Sequence, residues 1–400
     1  MERRHLSRSE GIPWHLITPE YPPQPGGVSD YTCFVARALA AAGEEVYVWC
    51  PSGDRDPQQD AGVSVGTALG RMGLPDLWRL GAQLDRCKKP RKLLLQWVPH
   101  GFGFRSMNLP LCFWIWARSV SRRDEVEIMI HEPFLQFREG SLKQDLAALV
   151  HRVMIVTLLL STRRVWVSTP QWIEQLKPYT LGRNVCFGWL PVPSNIPVID
   201  DPRAICATRS AFDRGGVVFG HFGTFGRLIA DLLREIVPRL LRALPDASIV
   251  LIGPGGQRFR TELVKQHPEI AERVFAAGYL SLAEVSIHLS AFDVMIQPFA
   301  DGVTTRRTSV MAGLSHGKAT ITTFGRSSEP FWKETNAVAL LSPGDTEGLV
   351  AVACKLSEDE VERRRLGGRA KDLYAERFDV RRTVEALRAT SEVDIVSCAS

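Results

Sequence analysis

The feature that most constrains this chain is a repeated order of short apolar runs, loops rich in glycine or proline, and segments with helical periodicity. Short runs that are apolar throughout suit strands covered on both faces, and strands alternating with helices imply parallel sheets. In the first half, Trp14 to Thr18 reads as a strand that runs into the loop Pro19 to Ser29. Asp30 to Ala42 has apolar residues on one face, and Gly43 marks its stop. Glu45 to Cys50, Leu93 to Val98, Ile128 to Ile130 and Arg164 to Ser168 read as further strands.

The second half repeats the order. Val217 to Phe222 is a strand followed by Gly223-Thr224-Phe225-Gly226 and a helix from about Leu228 to Ala243. Ala247 to Ile252 ends on Gly253-Pro254-Gly255-Gly256, and Val274 to Ala276 follows. Ser281 with Glu284 three positions on predicts a capping box. Asp293 to Gln297 and Ala319 to Thr322 are strands, with a short helix from Thr308 to His316 between them. Leu190 to Asp201 holds three prolines and reads as the linker. The last helix, about Asp379 to Thr390, is expected to fold back toward the first domain.

With 400 residues, the chain is long enough for two cores. Its apolar share of 45% and charged share of 23% are those of an ordinary globular protein. The net charge of +5 is too mild to indicate nucleic acid and suits an anionic ligand or lipid surface. Residues 1–200 carry most of the excess, with 23 Lys/Arg against 19 Asp/Glu. The densest basic patch, Lys88-Lys89-Pro90-Arg91-Lys92, also fits a solvated loop before a buried strand. The eight cysteines show no metal-ligand spacing and read as reduced and mostly packed, as in a cytosolic chain. Met1 to Glu10 lacks the apolar core of a signal peptide. The longest apolar stretches, Leu109 to Ala117 and Val153 to Leu160, fall short of the roughly 20 residues that span a bilayer. The expected location is cytoplasmic, with weak peripheral contact at the inner face of the membrane as an open addition.

Ligands of open α/β sheets bind beyond the carboxyl ends of the strands, so the loops there carry the candidate chemistry. Gly26-Gly27 precedes a helix whose first amides can receive an anion; the bland alternative is a turn alone. Gly223 and Thr224, with Arg227 as counter-charge, form a second such cradle, which is not a Walker loop. Arg306 and Arg307 stand just before a helix, where cations oppose the macrodipole unless an anion is bound. Surface charges are the competing account. Two histidines, His100 and His131, end first-domain strands, and Glu132 lies beside the second. His131 is one candidate catalytic residue and Asp301, on the loop after the strand Asp293 to Gln297, is the other; His100 and Glu132 are candidates on the acceptor side.

Together these segments resemble the retaining glycosyltransferases of family 4, which have the GT-B fold. The resemblance rests on Thr18-Pro19-Glu20-Tyr21-Pro22-Pro23 through Gly26-Gly27-Val28, on Tyr31 and Leu39 to Gly43, and resumes from Phe219 to about Phe378. It implies an α/β architecture of two Rossmann-like domains with parallel sheets facing across a cleft. Residues 1–200 form the acceptor-side domain, 201–378 the nucleotide-sugar domain, and 379–400 a helix and tail. It implies that the glycine loop lies near the donor diphosphate and that a strand-end histidine lines the reaction centre. The family's two glutamates, eight positions apart, match Asp301 and Ser309 here, which marks a divergent branch. Serine offers one hydroxyl where a carboxylate offers two charged oxygens.

The expected activity is therefore transfer of a sugar from a nucleotide-diphosphate donor to an acceptor hydroxyl, with retention. Asp301 contacts the transferred sugar, and Arg306, Arg307, Gly223 and Ser309 serve the diphosphate and nucleotide. No metal or other cofactor is expected, since charge on the leaving diphosphate can be met by the chain's own cations and amides. The acceptor class stays open between a glycan, a lipid-linked acceptor and a small molecule. Two rivals also stay open: a catalytically inactive binding or regulatory protein, and a sugar-nucleotide epimerase on the same scaffold.

Overall fold

The computed structural model describes residues 12–53, 56–57, 59–137 and 141–389. Met1 to Glu10, Cys398 and the expected helix end at Thr390 lie outside them. The chain divides into two compact units, Met1–Pro191 with Val380–Ser400, and Val192–Asp379.

The first unit is built on seven strands, all parallel. They are β1 (Trp14–Ile17), β2 (Val46–Pro51), β3 (Val63–Gly70), β4 (Lys92–Trp97), β5 (Glu125–Ile130), β6 (Arg164–Val167) and β7 (Cys186–Trp189). Their order across the sheet is β3-β2-β1-β4-β5-β6-β7. Strand order therefore reverses between β1 and β4, which opens a crevice at their carboxyl ends. Leu93, Leu95, Ile128, Ile130 and Val165 are fully buried, as strands covered by helices on both faces require.

The helix Gly27–Ala41 begins three residues before the periodicity suggests. Gly43 ends it at φ 89°, in the left-handed region that a glycine adopts without strain. The last described helix, Val380–Arg388, packs on it. Arg388 Nε meets Glu44 at 2.8 Å, and Arg164 Nη1 donates to the Ala389 carbonyl at 2.8 Å.

The second unit holds six parallel strands: β8 (Val218–Phe222), β9 (Ser248–Ile252), β10 (Val274–Ala277), β11 (Val294–Gln297), β12 (Ala319–Thr323) and β13 (Ala339–Leu341). Their order is β10-β9-β8-β11-β12-β13, with the reversal between β8 and β11. The capping box at Ser281 and Glu284 is formed as its spacing predicts.

The proline-rich stretch 190–201 is not a free linker beyond residue 191. Val192 N–H donates to the Thr305 carbonyl at 3.0 Å, Ser194 N–H to the Tyr374 hydroxyl at 3.2 Å, and Ile199 N–H to Ser286 Oγ at 2.9 Å. Ile196 is buried among Val218, Val250 and Leu289. Prolines lack amide donors, but the residues between them do not, and these supply the bonds that fix the stretch to the second unit.

Candidate functional site

In the second unit the loops after β8 and β11 meet at the strand-order reversal. Gly223 N–H donates to the Ile252 carbonyl at 3.0 Å, and Gln297 Nε2 holds the Phe222 carbonyl at 2.9 Å. Gly223 has φ 154°. A side chain there would reach 3.7 Å from His221 Nε2 and 3.8 Å from Ser309 Oγ. The glycine therefore brings its own backbone close to two polar side chains from different elements. Gly253, at φ 123°, has no room for a side chain because the Gly223 carbonyl lies against it.

His221 is 1% exposed and donates through Nδ1 to the Ile296 carbonyl at 2.8 Å. Burial lowers its pKa to about 4, so the ring is neutral and Nε2 carries a bare lone pair. That atom has no hydrogen-bond partner among the described residues. A buried acceptor without a partner costs about 1–3 kcal/mol, which a bound hydroxyl or amide donor would recover. Sequence reading passed over this histidine; its place inside an otherwise apolar strand was the available signal.

Ser309 is the second residue of the helix Thr308–Ser315, which no side chain caps. Ahead of it, Asp301 to Arg307 form a tightly held loop. Glu329, buried at its base, accepts hydrogen bonds from Thr305 N–H at 3.1 Å, Thr305 Oγ1 at 2.8 Å and Trp332 Nε1 at 2.9 Å. Burial raises the Glu329 pKa, against the lowering effect of these donors. Gly302, at φ 93°, lets the turn lie on Gly325 and Ser328.

Arg306 and Arg307 are both half-buried. Arg307 is already engaged: Nη2 meets Asp301 Oδ1 at 2.7 Å and the guanidinium lies 4.5 Å from the Phe299 ring centroid. Its Nε is buried without a partner among the described residues. Arg227, by contrast, has a side chain 93% exposed, next to Asp231 at 3.9 Å, and Thr224 is exposed. Arg227 opens the helix Arg227–Ala243 with its side chain turned to solvent, and Thr224 is exposed in the loop beside Gly223.

In the first unit the Gly26–Gly27 cradle is not open. Glu20 Oε1 accepts the Val28 and Ser29 amides, each at 3.0 Å, and the space beside Gly26 is taken by the same carboxylate. The chain supplies its own anion to this helix start.

At the carboxyl ends of β4 and β5, the three other candidates come together. His131 Nε2 pairs with Gln96 Oε1 at 2.9 Å, and its ring meets Tyr31 edge-on at 4.8 Å. Burial lowers its pKa to about 3, so it is a neutral hydrogen-bonding group and a weak base. His100 reaches Ser106 Oγ at 3.3 Å and lies 3.9 Å from Glu132. Beside them, after β1 and β2, a pocket of about 620 Å³ is lined by Pro19, Tyr21, Pro25, Ser52 and Met72 among others. Of the aromatics in this half, Trp97 and Phe102 are core residues, while Phe104 and Trp116 are exposed. Among the described residues, no group of three His, Cys, Asp or Glu side chains is arranged to hold a metal ion.

Residues 217–359 match the family model described as glycosyl transferases group 1. No curated protein sequence matches. The structure is similar to sucrose-phosphate synthase from Thermosynechococcus elongatus, with a TM-score of 0.67 at 16% identity over 94% of this chain and 97% of that one. It is similar to WaaG, a glycosyltransferase involved in lipopolysaccharide biosynthesis (0.63, 14%, covering 94% and 100%). It is also similar to HepE from Anabaena, solved in complex with UDP and glucose (0.62, 16%, covering 94% and 97%). The fold is thus that of the GT-B glycosyltransferase structures.

Proposed function

We propose that this chain, which carries a glycosyl transferases group 1 match over residues 217–359, transfers a sugar from a nucleoside-diphosphate donor to an acceptor hydroxyl. The second unit takes the donor and the first unit the acceptor. One observation carries the reading: Gly223, Ser309 and the unpartnered Nε2 of His221 converge at the strand-order reversal of the second sheet. A glycine backbone, a hydroxyl and a free helix start suit a diphosphate, and a buried lone pair suits a donor hydroxyl. HepE, of similar fold, was solved with UDP-glucose, which supports a donor of this class.

In this reading, negative charge grows on the leaving diphosphate as the anomeric bond breaks. The uncapped amides of Thr308 and Ser309 and the cations Arg306 and Arg307 meet that charge, without a metal ion. Arg307 stays half neutralised by Asp301 until the diphosphate draws it away, which frees the Asp301 carboxylate to accept from the transferred sugar. His131, neutral at physiological pH with its Nε2 proton donated to Gln96 Oε1, orients a hydroxyl and does not act as a general base. Retention and the family 4 assignment rest on the sequence resemblance, and a cytoplasmic location rests on the cysteine usage.

Calorimetric titration with nucleoside diphosphates tests the donor site. The wild type binds at least one, and Gly223→Val, whose side chain fills the gap between His221 and Ser309, does not. Equal binding by the variant, or no binding of any nucleoside diphosphate by the wild type, refutes the assignment.

A further inference from the structure

Most of the exposed large apolar side chains among the described residues lie between positions 74 and 153. Eight of these eleven sit on three helices of the first unit: Leu74–Leu84, Leu109–Ala117 and Leu142–Ser161. Each follows one strand and precedes the next in the order β3, β4, β5, β6. Right-handed crossovers through a sheet ordered β3-β2-β1-β4-β5-β6 place all three on one side of it. They pack side by side there: Gly81 of the first lies against Trp114 of the second, and the second packs along the third.

Their outward faces are apolar, against the usual pattern of surface helices. The first presents Leu74 and Trp78, the indole 80% exposed. The second presents Phe113 and Trp116, continued by Val120 one turn on. The third carries an exposed stripe at Leu142, Leu146, Leu149 and Val153, with Leu142 88% exposed. This third helix is long and apolar enough to cross a bilayer, yet its other side, with His151, Met154 and Leu158, is packed into the core. It can lie on a membrane with one face but cannot leave the unit to span one.

The helices run opposite to the strands, so their carboxyl-terminal ends share one edge of the layer. Exposed cations mark that edge after every helix: Arg86, Lys88 and Lys89 after the first, Arg122 and Arg123 after the second, Arg163 after the third. Exposed Glu125 is also there, and Asp85 is drawn into ion pairs with Arg91, Arg118 and Arg122. Indoles and leucines beside a basic rim match the two layers of an acidic bilayer surface, acyl chains for the first and anionic headgroups for the second.

We infer that this three-helix face docks the first unit on an anionic lipid surface. The donor-site reading plays no part in the inference, so either can fail alone.

Flotation of the full chain tests it, with vesicles of phosphatidylcholine alone and of phosphatidylcholine containing phosphatidylglycerol. The wild type floats with the anionic vesicles, less at high salt, where surface attraction is screened. The double variant Trp78→Ser, Leu142→Ser keeps its thermal midpoint, because both side chains are exposed, and binds at least about tenfold more weakly. Lys88→Glu with Arg122→Glu loses the preference for anionic lipid. The inference is overturned if the wild type floats with neither vesicle, or if the double variant floats like the wild type. A dimer in solution that the double variant splits, with no flotation, assigns the face to a second copy instead.

Discussion

Glu20 and Val28 are joined by a 3.0 Å hydrogen bond from the backbone amide to the carboxylate, and this bond closes the start of the helix Gly27–Ala41. Glu20 also takes the next amide, Ser29. Loss of an amino-terminal cap costs about 0.5–2 kcal/mol. Glu20→Ala should therefore lower the thermal midpoint by a few degrees, and Glu20→Gln by less, since an amide oxygen still accepts. A scan in which the alanine variant melts with the wild type would contradict the capping role.

Glu329 anchors the loop that carries Asp301, Arg306 and Arg307. Glu329→Ala removes the carboxylate that accepts from Thr305 N–H, Thr305 Oγ1 and Trp332 Nε1, at a cost of about 3 kcal/mol. Glu329→Gln keeps one acceptor oxygen and should fall between that variant and the wild type. Denaturant unfolding followed by tryptophan fluorescence measures both. Equal stability of all three proteins would mean that the loop is held elsewhere.

Arg307→Ala should reduce kcat/KM for the donor by the equivalent of about 2–4 kcal/mol, the scale of a lost oxyanion partner. Arg307→Lys should not rescue it, because an ammonium cannot both pair with Asp301 and stack on Phe299. Initial rates at sub-saturating donor decide this; a fully active lysine variant would reduce Arg307 to a point charge.

Acid should destabilise the fold before most carboxylates titrate. His15 and His221 have pKa values lowered to about 4, and His131 to about 3, from the ordinary 6.5. Above pH 6.5 folded and unfolded chains are both neutral at these sites, so the contribution is fully present. Below it the unfolded chain binds protons that the folded chain refuses, and stability falls as pH drops toward 4. At about 1.36 kcal/mol per unit, His221 alone accounts for at most about 3 kcal/mol. The thermal midpoint should decline between pH 6.5 and 4, with a shallower slope for His221→Gln. A flat profile would count against the buried, neutral state.

The interior strands were legible in the sequence because strands covered on both faces need unbroken apolar runs. The edges were not. β3, β7 and β13 end their sheets, and each lacks such a run: β3 has half-exposed Val65 and Gly66, β7 is Cys-Phe-Gly-Trp, and β13 is three residues long. The glycine loop before Arg227 was legible as a strand-to-helix turn, but the direction of the arginine depends on the helix phase, which a sequence gives poorly. The Glu20 cap escaped notice because the carboxylate lies six residues before Gly26, beyond the usual capping positions, and a proline loop turns it back. The positions of His131, His100 and Glu132 at one sheet edge were legible because strand ends fix where side chains emerge. The neutral, hydrogen-bonded state of His131 follows from packing that no local pattern records.

Release of nucleoside diphosphate from a panel of sugar nucleotides, with and without candidate acceptors, tests the central claim most directly. The account predicts release from at least one donor, slow through water alone and faster with a true acceptor, and lost in Gly223→Val while that variant stays folded. A folded wild-type protein that binds a sugar nucleotide yet releases no diphosphate from any of them, with any acceptor, would contradict transfer and leave a binding protein of the same fold.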